Sequence, residues 1–563
     1  MSMTFGRRRF PRRDLLIAGG SALMALAVPR RSAGQATTDG VVVSTSSGRV
    51  RGVRRDGVHV FKGIPYAAEP TGARRFMAPQ PPPTWQGVRD MFEAGPRAVQ
   101  PVRVMIPEMG DALTGSGPTG EDCLRLHIWT PEASARGTRR PVLVFFHGGG
   151  YRSGSANSIF YDGTGLARRH NVVLVTVNHR LNALGYLYLE QLAGERYAQS
   201  GNAGLLDLVA ALRWVRDNIE GFGGDPGLVT VMGQSGGGGK SAMVMGTPSA
   251  KGLFHRATII STLIESGVRA QSAERATVLA DTLLRRLGIR PPNVDALHLM
   301  PTAQLMEALT GGGPARGTTP NDPVGQDIST QLYPVVDGHT LPAHPFDPVA
   351  PAVSADVPIL CGANETEGVP YADLDDPFWR GEIETEEALR ARVKTVLRAT
   401  DDEADRVIAT YRKGRPSDSR GDLALIIAAD NSPTRLASSI FAERKAAQGR
   451  APAFLYSFDW RSPVRGGKLR TMHSMELPFL FDHVDDLPFM VGNGPDRQAL
   501  ATQFSGAVTA FARTGVPTVD GVDWRPYDPA VRNTVLFGRN TRVANDPYGD
   551  ERRLLEALRS RTR

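Results

Sequence analysis

The sequence predicts an α/β protein with a mostly parallel central sheet flanked by helices, and three observations carry that prediction. "PVLVFF" (141–146) and "NVVLVTVN" (171–178) are unbroken apolar runs of strand length. A strand with one wet face alternates, so continuous runs mark strands covered on both faces. "LLDLVAALRWVRDNI" (205–219) spaces its apolar residues at helical intervals and stops near "GFGGDP", where Gly and Pro end a helix. "LVTVMG" (228–233) is a short strand-like run that passes through glycines into helical "KSAMVMG" (240–246). From residue 41 onward such segments alternate, as βαβ units do. No internal repeat, heptad run or low-complexity linker breaks the pattern.

With 563 residues, 41% hydrophobic and 22% charged, the chain has ample material for a large core. Its net charge of +8 invites a nucleic-acid partner. Residues 1–36, however, carry seven arginines against Asp14 alone, a surplus of six that leaves only +2 for everything else. That remainder is no basic patch, so no nucleic-acid partner is expected. The N-terminus reads instead as an export signal. Basic "RRRFPRRD" precedes the apolar run 15–28, which is too short to span a bilayer. "RRDLL" (12–16) resembles the twin-arginine signal of bacteria, and "GQA" (34–36) or "ALA" (25–27) offers a cleavage site. The expectation is a signal peptide over 1–36, a single domain over 37–563, and a periplasmic or extracellular product with no stable membrane insertion after cleavage. Cys123 and Cys361 are the only cysteines. Two thiols make neither a metal cluster nor a disulfide framework, and both are expected buried and free.

The stretch "VMGQSGGGGKSAM" (231–243) admits two readings. A phosphate-cradling P-loop needs a glycine five residues before the Gly-Lys-Ser end, and that position is Gln234, one residue out of register. G-x-S-x-G fits without adjustment as Gly233, Gln234, Ser235, Gly236 and Gly237, between a strand and a helix as that motif demands. Upstream, "FFHGGGYRSGS" (145–155) follows a buried strand and offers backbone N–H groups unobstructed by side chains, suited to an oxyanion. The Gly/Pro-rich segment 311–326 is either a surface connection or a flap over a site.

Together these features resemble the type-B carboxylesterases, the α/β-hydrolase family that also contains cholinesterases. "GIPYAAEPTGARRF" (63–76), "EDCLRLHIW" (121–129), "NHRLNALGYL" (178–187), the run 201–238, "AKGLFHRA" (250–257), "PVVDG" (334–338) and "FARTGVP" (511–517) follow the family's order. The resemblance implies an α/β-hydrolase fold whose loop and helical insertions form a gorge-like site. It implies hydrolysis of small-molecule esters through an acyl-enzyme, without metal or cofactor. "CGANETEGVPY" (361–371) resembles the family's acid loop and "MHSMELPFLF" (472–481) its histidine loop. The implied triad is Ser235, Glu367 and His473, with Gly149, Gly150 and Gly236 as the oxyanion hole. Chemically, serine needs a base to take its proton, histidine is poised for that near neutral pH, and a buried carboxylate fixes the imidazole's tautomer.

Rival residues stay in view: Glu365 as the acid, His483 as a solvated loop residue, and His147 as a support for the glycine loop. Several positions depart from the family. Gln234 replaces the usual Glu and removes a negative charge, Gly236 replaces Ala, Cys123 lacks its usual upstream partner in "AGPRAVQP" (94–101), and His179 replaces Tyr, assigned to packing. Some relatives keep the fold for adhesion without catalysis, but such proteins typically lose a triad member, and here all three are present. Substrate choice and oligomeric state are not legible, although 311–326 and "VDDLPFM" (484–490) are candidates for shaping an entrance.

Overall fold

A computed structural model describes residues 40–559, apart from 102–104, 107–108, 134–138, 263–267, 269, 292, 312–326, 370–375 and 432–433. The expected export signal and all but the first residue of the 311–326 loop lie outside the described residues.

An eleven-stranded sheet forms the spine. In chain order its strands are β1 (Val53–Arg55), β2 (Val58–Pro65), β3 (Arg125–Thr130), β4 (Arg140–Phe146), β5 (Val173–Val177), β6 (Gly224–Gln234), β7 (Arg256–Ile260), β8 (Ile359–Asn364), β9 (Ala453–Phe458), β10 (Asn533–Phe537) and β11 (Arg542–Asn545). Across the sheet the order is β1-β2-β3-β5-β4-β6-β7-β8-β9-β10-β11. The pairings from β5 through β10 are parallel, and both edges are antiparallel. The architecture is that of an α/β hydrolase.

The unbroken apolar runs are explained by what each face meets. In β4, Val142, Val144 and Phe146 join one core cluster while Leu143 and Phe145 join the other. The first cluster includes Leu205, Leu208 and Leu212 of helix α1 (Ala203–Asn218), helix α2 (Gly236–Met245), and Phe441 of helix α3 (Thr434–Ala446). The second includes Leu500, Phe504, Val508 and Phe511 of helix α4 (Asp496–Thr514). Successive side chains of a strand point to opposite faces, so helices on both sides demand apolar residues at every position. Each fully buried Val, Leu or Phe contributes about 1.5–3 kcal/mol.

Parallel strands share one direction, so the loops following β4, β6 and β8 gather at one edge of the sheet. That edge is where ligand sites of open α/β sheets form. Cys123 and Cys361 are buried and free, as expected. Among the described residues no helix is long and apolar enough to cross a membrane.

Candidate active site

β6 ends at Gln234 and α2 begins at Gly236. Ser235 joins them in a sharp turn at φ 59°, ψ −126°, a backbone region that costs a non-glycine residue about 1–3 kcal/mol. The turn is held from several sides. Ser235 N–H donates to the Ile260 carbonyl at 2.9 Å, and the Ser235 carbonyl accepts from Thr262 Oγ1 at 2.6 Å and from Gly239 N–H at 3.1 Å. Gly237 must be glycine, because a Cβ there would stand 1.9 Å from the Phe146 carbonyl oxygen. Lys240, the residue that suggested a phosphate cradle, is wholly buried, and its Nζ donates to the His147 carbonyl at 2.8 Å. No open cradle remains for a phosphate.

The glycine loop follows β4 and lies against this turn. A Cβ on Gly148 would stand 3.4 Å from Ser235 Cβ. Gly149 and Gly150 take φ of +89° and +64°, conformations natural to glycine. Each peptide is planar, so holding a carbonyl also aims the next residue's N–H. The Gly148 carbonyl accepts from His147 Nδ1 at 2.8 Å, which orients Gly149 N–H. The Gly149 carbonyl accepts from Ser153 N–H at 3.1 Å, which orients Gly150 N–H. The Ser235 carbonyl, held by Thr262, orients Gly236 N–H. The glycine at 236 has a steric consequence: a Cβ there would lie 2.4 Å from both the N and Cα of Gly150. Its absence lets the Ser235 turn and the glycine loop close on each other.

Glu367 and His473, the expected acid and base, come from the loops after β8 and β9. Glu367 Oε1 accepts from Asn364 N–H at 2.8 Å, and Oε2 accepts from His473 Nδ1 at 2.5 Å. The Glu367 side chain is 2% exposed and that of His473 is 13% exposed, so the pair is shielded while the imidazole stays reachable. With Nδ1–H committed to the carboxylate, Nε2 carries the lone pair. It sits 3.4 Å from Gln234 Nε2, beside the turn that presents Ser235.

Glu365 takes another role. Arg461 grips it with two hydrogen bonds of 3.0 Å, while its own N–H donates to the Phe458 carbonyl. It anchors the loop that carries Glu367. His483 corrects the expectation of a solvated loop: it is 5% exposed, its ring lies against Phe481, and burial holds its pKa below the usual histidine value. Val484, Leu487 and Met490 of the 484–490 segment are buried in the core, while Asp485, Asp486 and Phe489 are exposed. His147 supports the glycine loop, as expected.

Glu476 was missed at the sequence level. It is fully buried, with Oε1 accepting from Ser261 Oγ at 2.6 Å and Oε2 accepting from the Asn364 side-chain amide. Burial, and then the nearby Glu367 charge, push its pKa up to about 7. Its sequence signal was a lone acid in the apolar run "MELPFLF", three residues after His473.

Comparison with known proteins agrees with this architecture. The carboxylesterase family model matches residues 39–554. The para-nitrobenzyl esterase of Bacillus subtilis is 32% identical, over 91% of this chain and 98% of its own length. The phenmedipham hydrolase of Pseudarthrobacter oxydans is 34% identical, over 90% and 97%. A crystal structure of a Geobacillus stearothermophilus carboxylesterase superposes with a TM-score of 0.74 at 36% identity, covering 91% of this chain and 99% of that one. The chain belongs to the carboxylesterase family. It is a carboxylic-ester hydrolase.

Proposed function

We propose that the chain hydrolyses carboxylic esters through an acyl-enzyme on Ser235. His473 Nε2 takes the Ser235 proton as Oγ attacks the ester carbonyl. Glu367 holds the imidazole and stabilises its charged form. The N–H groups of Gly149, Gly150 and Gly236 bind the oxyanion as it forms. His473 then protonates the leaving alcohol, activates water to attack the acyl-enzyme, and the acid departs. The observation that carries this reading is the contact of His473 Nδ1 with Glu367 Oε2 at 2.5 Å, which leaves Nε2 3.4 Å from the side-chain Nε2 of Gln234, the residue before Ser235.

Relatives named for para-nitrobenzyl esters and phenmedipham support small synthetic or otherwise exogenous esters as the substrate class. The same reading includes export directed by residues 1–36 and one catalytic domain over 37–563. The test is covalent trapping. An organophosphate ester should inactivate the protein with one adduct per chain, on the peptide containing Ser235. Inactivation with the adduct on another residue overturns the assignment.

A further inference from the structure

Lys240 is a lysine with no carboxylate partner among the described residues, wholly buried, about one and a half helical turns beyond Ser235. Burying an unpaired ammonium is costly, and desolvation pushes this amine well below the usual lysine range. A side chain retained under that penalty calls for a function, and its contacts supply one. Nζ donates to the carbonyl of His147 at 2.8 Å. That carbonyl lies just beyond the end of β4, at Phe146, where the chain leaves the sheet ladder for the glycine loop.

His147 in turn holds the loop's next carbonyl, because its Nδ1 donates to Gly148 at 2.8 Å. Its ring stacks on His179 at 4.8 Å and 13°, and His179 is fixed by its own Nδ1 donating to the Arg180 carbonyl at 2.8 Å. Both imidazoles are fully buried, and burial first, then Lys240, hold their pKa values well below the ordinary histidine value. They therefore stay neutral, each with its proton on Nδ1. The result is a chain of fixed peptide planes. Lys240 sets the His147–Gly148 peptide, the His147 ring sets the Gly148–Gly149 peptide, and the latter aims the N–H of Gly149.

We infer that Lys240 is a positioning residue for the oxyanion hole, tying the helix behind Ser235 to the start of the glycine loop through the His147 carbonyl, with the His147–His179 stack as its abutment. The inference rests on the esterase reading above. It also gives His179 a place beyond general packing, as the surface that keeps the His147 ring in plane.

The experiment compares Lys240→Met, which keeps the aliphatic stem and loses the donor, with Lys240→Gln, which keeps a shorter donor. Lys445→Met is the control for loss of a buried lysine. Lys445 is also fully buried and donates to the carbonyls of Ser354 and Ala355, near the start of β8 and at the opposite end of that strand from the Glu367 loop. Each variant is measured for kcat and KM on p-nitrophenyl acetate, for inhibition by a trifluoromethyl ketone, and for its thermal midpoint. Ser235 Oγ adds to the ketone carbon, its proton passes to His473, and the resulting alkoxide occupies the oxyanion hole.

Removing one oxyanion donor costs about 10²–10³ in kcat, and displacing one costs less. The expected result for Lys240→Met is a tenfold to hundredfold lower kcat, KM within twofold, and ketone affinity lowered by the same factor as kcat. Lys240→Gln should fall between it and the parent. Lys445→Met should keep kcat and ketone affinity whatever its midpoint. A folded Lys240→Met with kcat and ketone affinity within twofold of the parent overturns the inference, as does a loss confined to KM. If the Met variant does not fold, Lys240→Gln is judged by the same two criteria. Ser235→Ala, run alongside, separates the two failures: if it retains activity, the esterase site itself is misassigned.

Discussion

Glu476 offers a prediction that needs no substrate. Its carboxyl is fully buried between Ser261 and Asn364, and burial followed by the Glu367 charge raises its pKa from an ordinary 4.5 to about 7. A raised value means that the folded protein binds this proton more tightly than the unfolded chain. The stability so gained is complete below pH 4.5 and is lost as pH climbs through 7. At about 1.36 kcal/mol for each tenfold change in proton affinity, the loss is on the order of 3 kcal/mol, most of which develops between pH 5 and pH 8. Glu476→Gln cannot ionise and escapes that loss. With an unfolding entropy of about 2.1 cal/mol/K per residue, a chain of 563 residues changes by about 1.2 kcal/mol per degree. The midpoint of Glu476→Gln minus that of the parent should therefore rise by about 2 °C from pH 5 to pH 8, whatever its offset at pH 5. Thermal unfolding followed by circular dichroism in matched buffers reads this directly. A difference that is flat with pH, or that falls, refutes the reasoning.

The two neighbouring glutamates should separate by activity. Glu367→Gln should lose about 10⁴-fold in kcat, because an amide favours the wrong imidazole tautomer, whereas Glu365→Gln should stay within tenfold in kcat while its thermal midpoint falls as the Arg461 grip is lost. Equal losses in steady-state kinetics would mean that the acid is misassigned. Gly236→Ala should lower kcat by about tenfold to a hundredfold, since a Cβ 2.4 Å from Gly150 must push the glycine loop by about 1 Å; a variant with unchanged kcat would show that the loop yields without losing its aim.

Much of the fold was legible because its signals are local. The strands from β4 through β6 stand close to where their apolar runs put them, since burial on both faces leaves an unbroken run. The turn at Ser235 was legible because its tight approach to β4 admits only glycine at 237. The reading failed where a residue's meaning depends on distant partners. Glu476 is held by Ser261 and Asn364, each more than a hundred residues away in sequence, and a lone acid in an apolar run does not reveal its donors. The sequence around Lys240 suggests only a phosphate ligand, because the carbonyl it holds lies at a strand end 93 residues upstream. The acidic neighbours of His483 predict a solvated ring, but the ring is buried against Phe481. Glu367 was preferred to Glu365 from the resemblance of 361–371 to the acid loop, and the fork of Arg461 on Glu365 is a contact that the resemblance does not contain.

The central claim is that the Ser235 turn is a nucleophile elbow. It is tested most directly by the rate of p-nitrophenyl ester hydrolysis, from acetate to long acyl chains, for the chain without residues 1–36 and for its Ser235→Ala variant. Ser235→Ala should lose about three or more orders of magnitude in kcat, with the fold retained. A folded variant as active as its parent would contradict the claim.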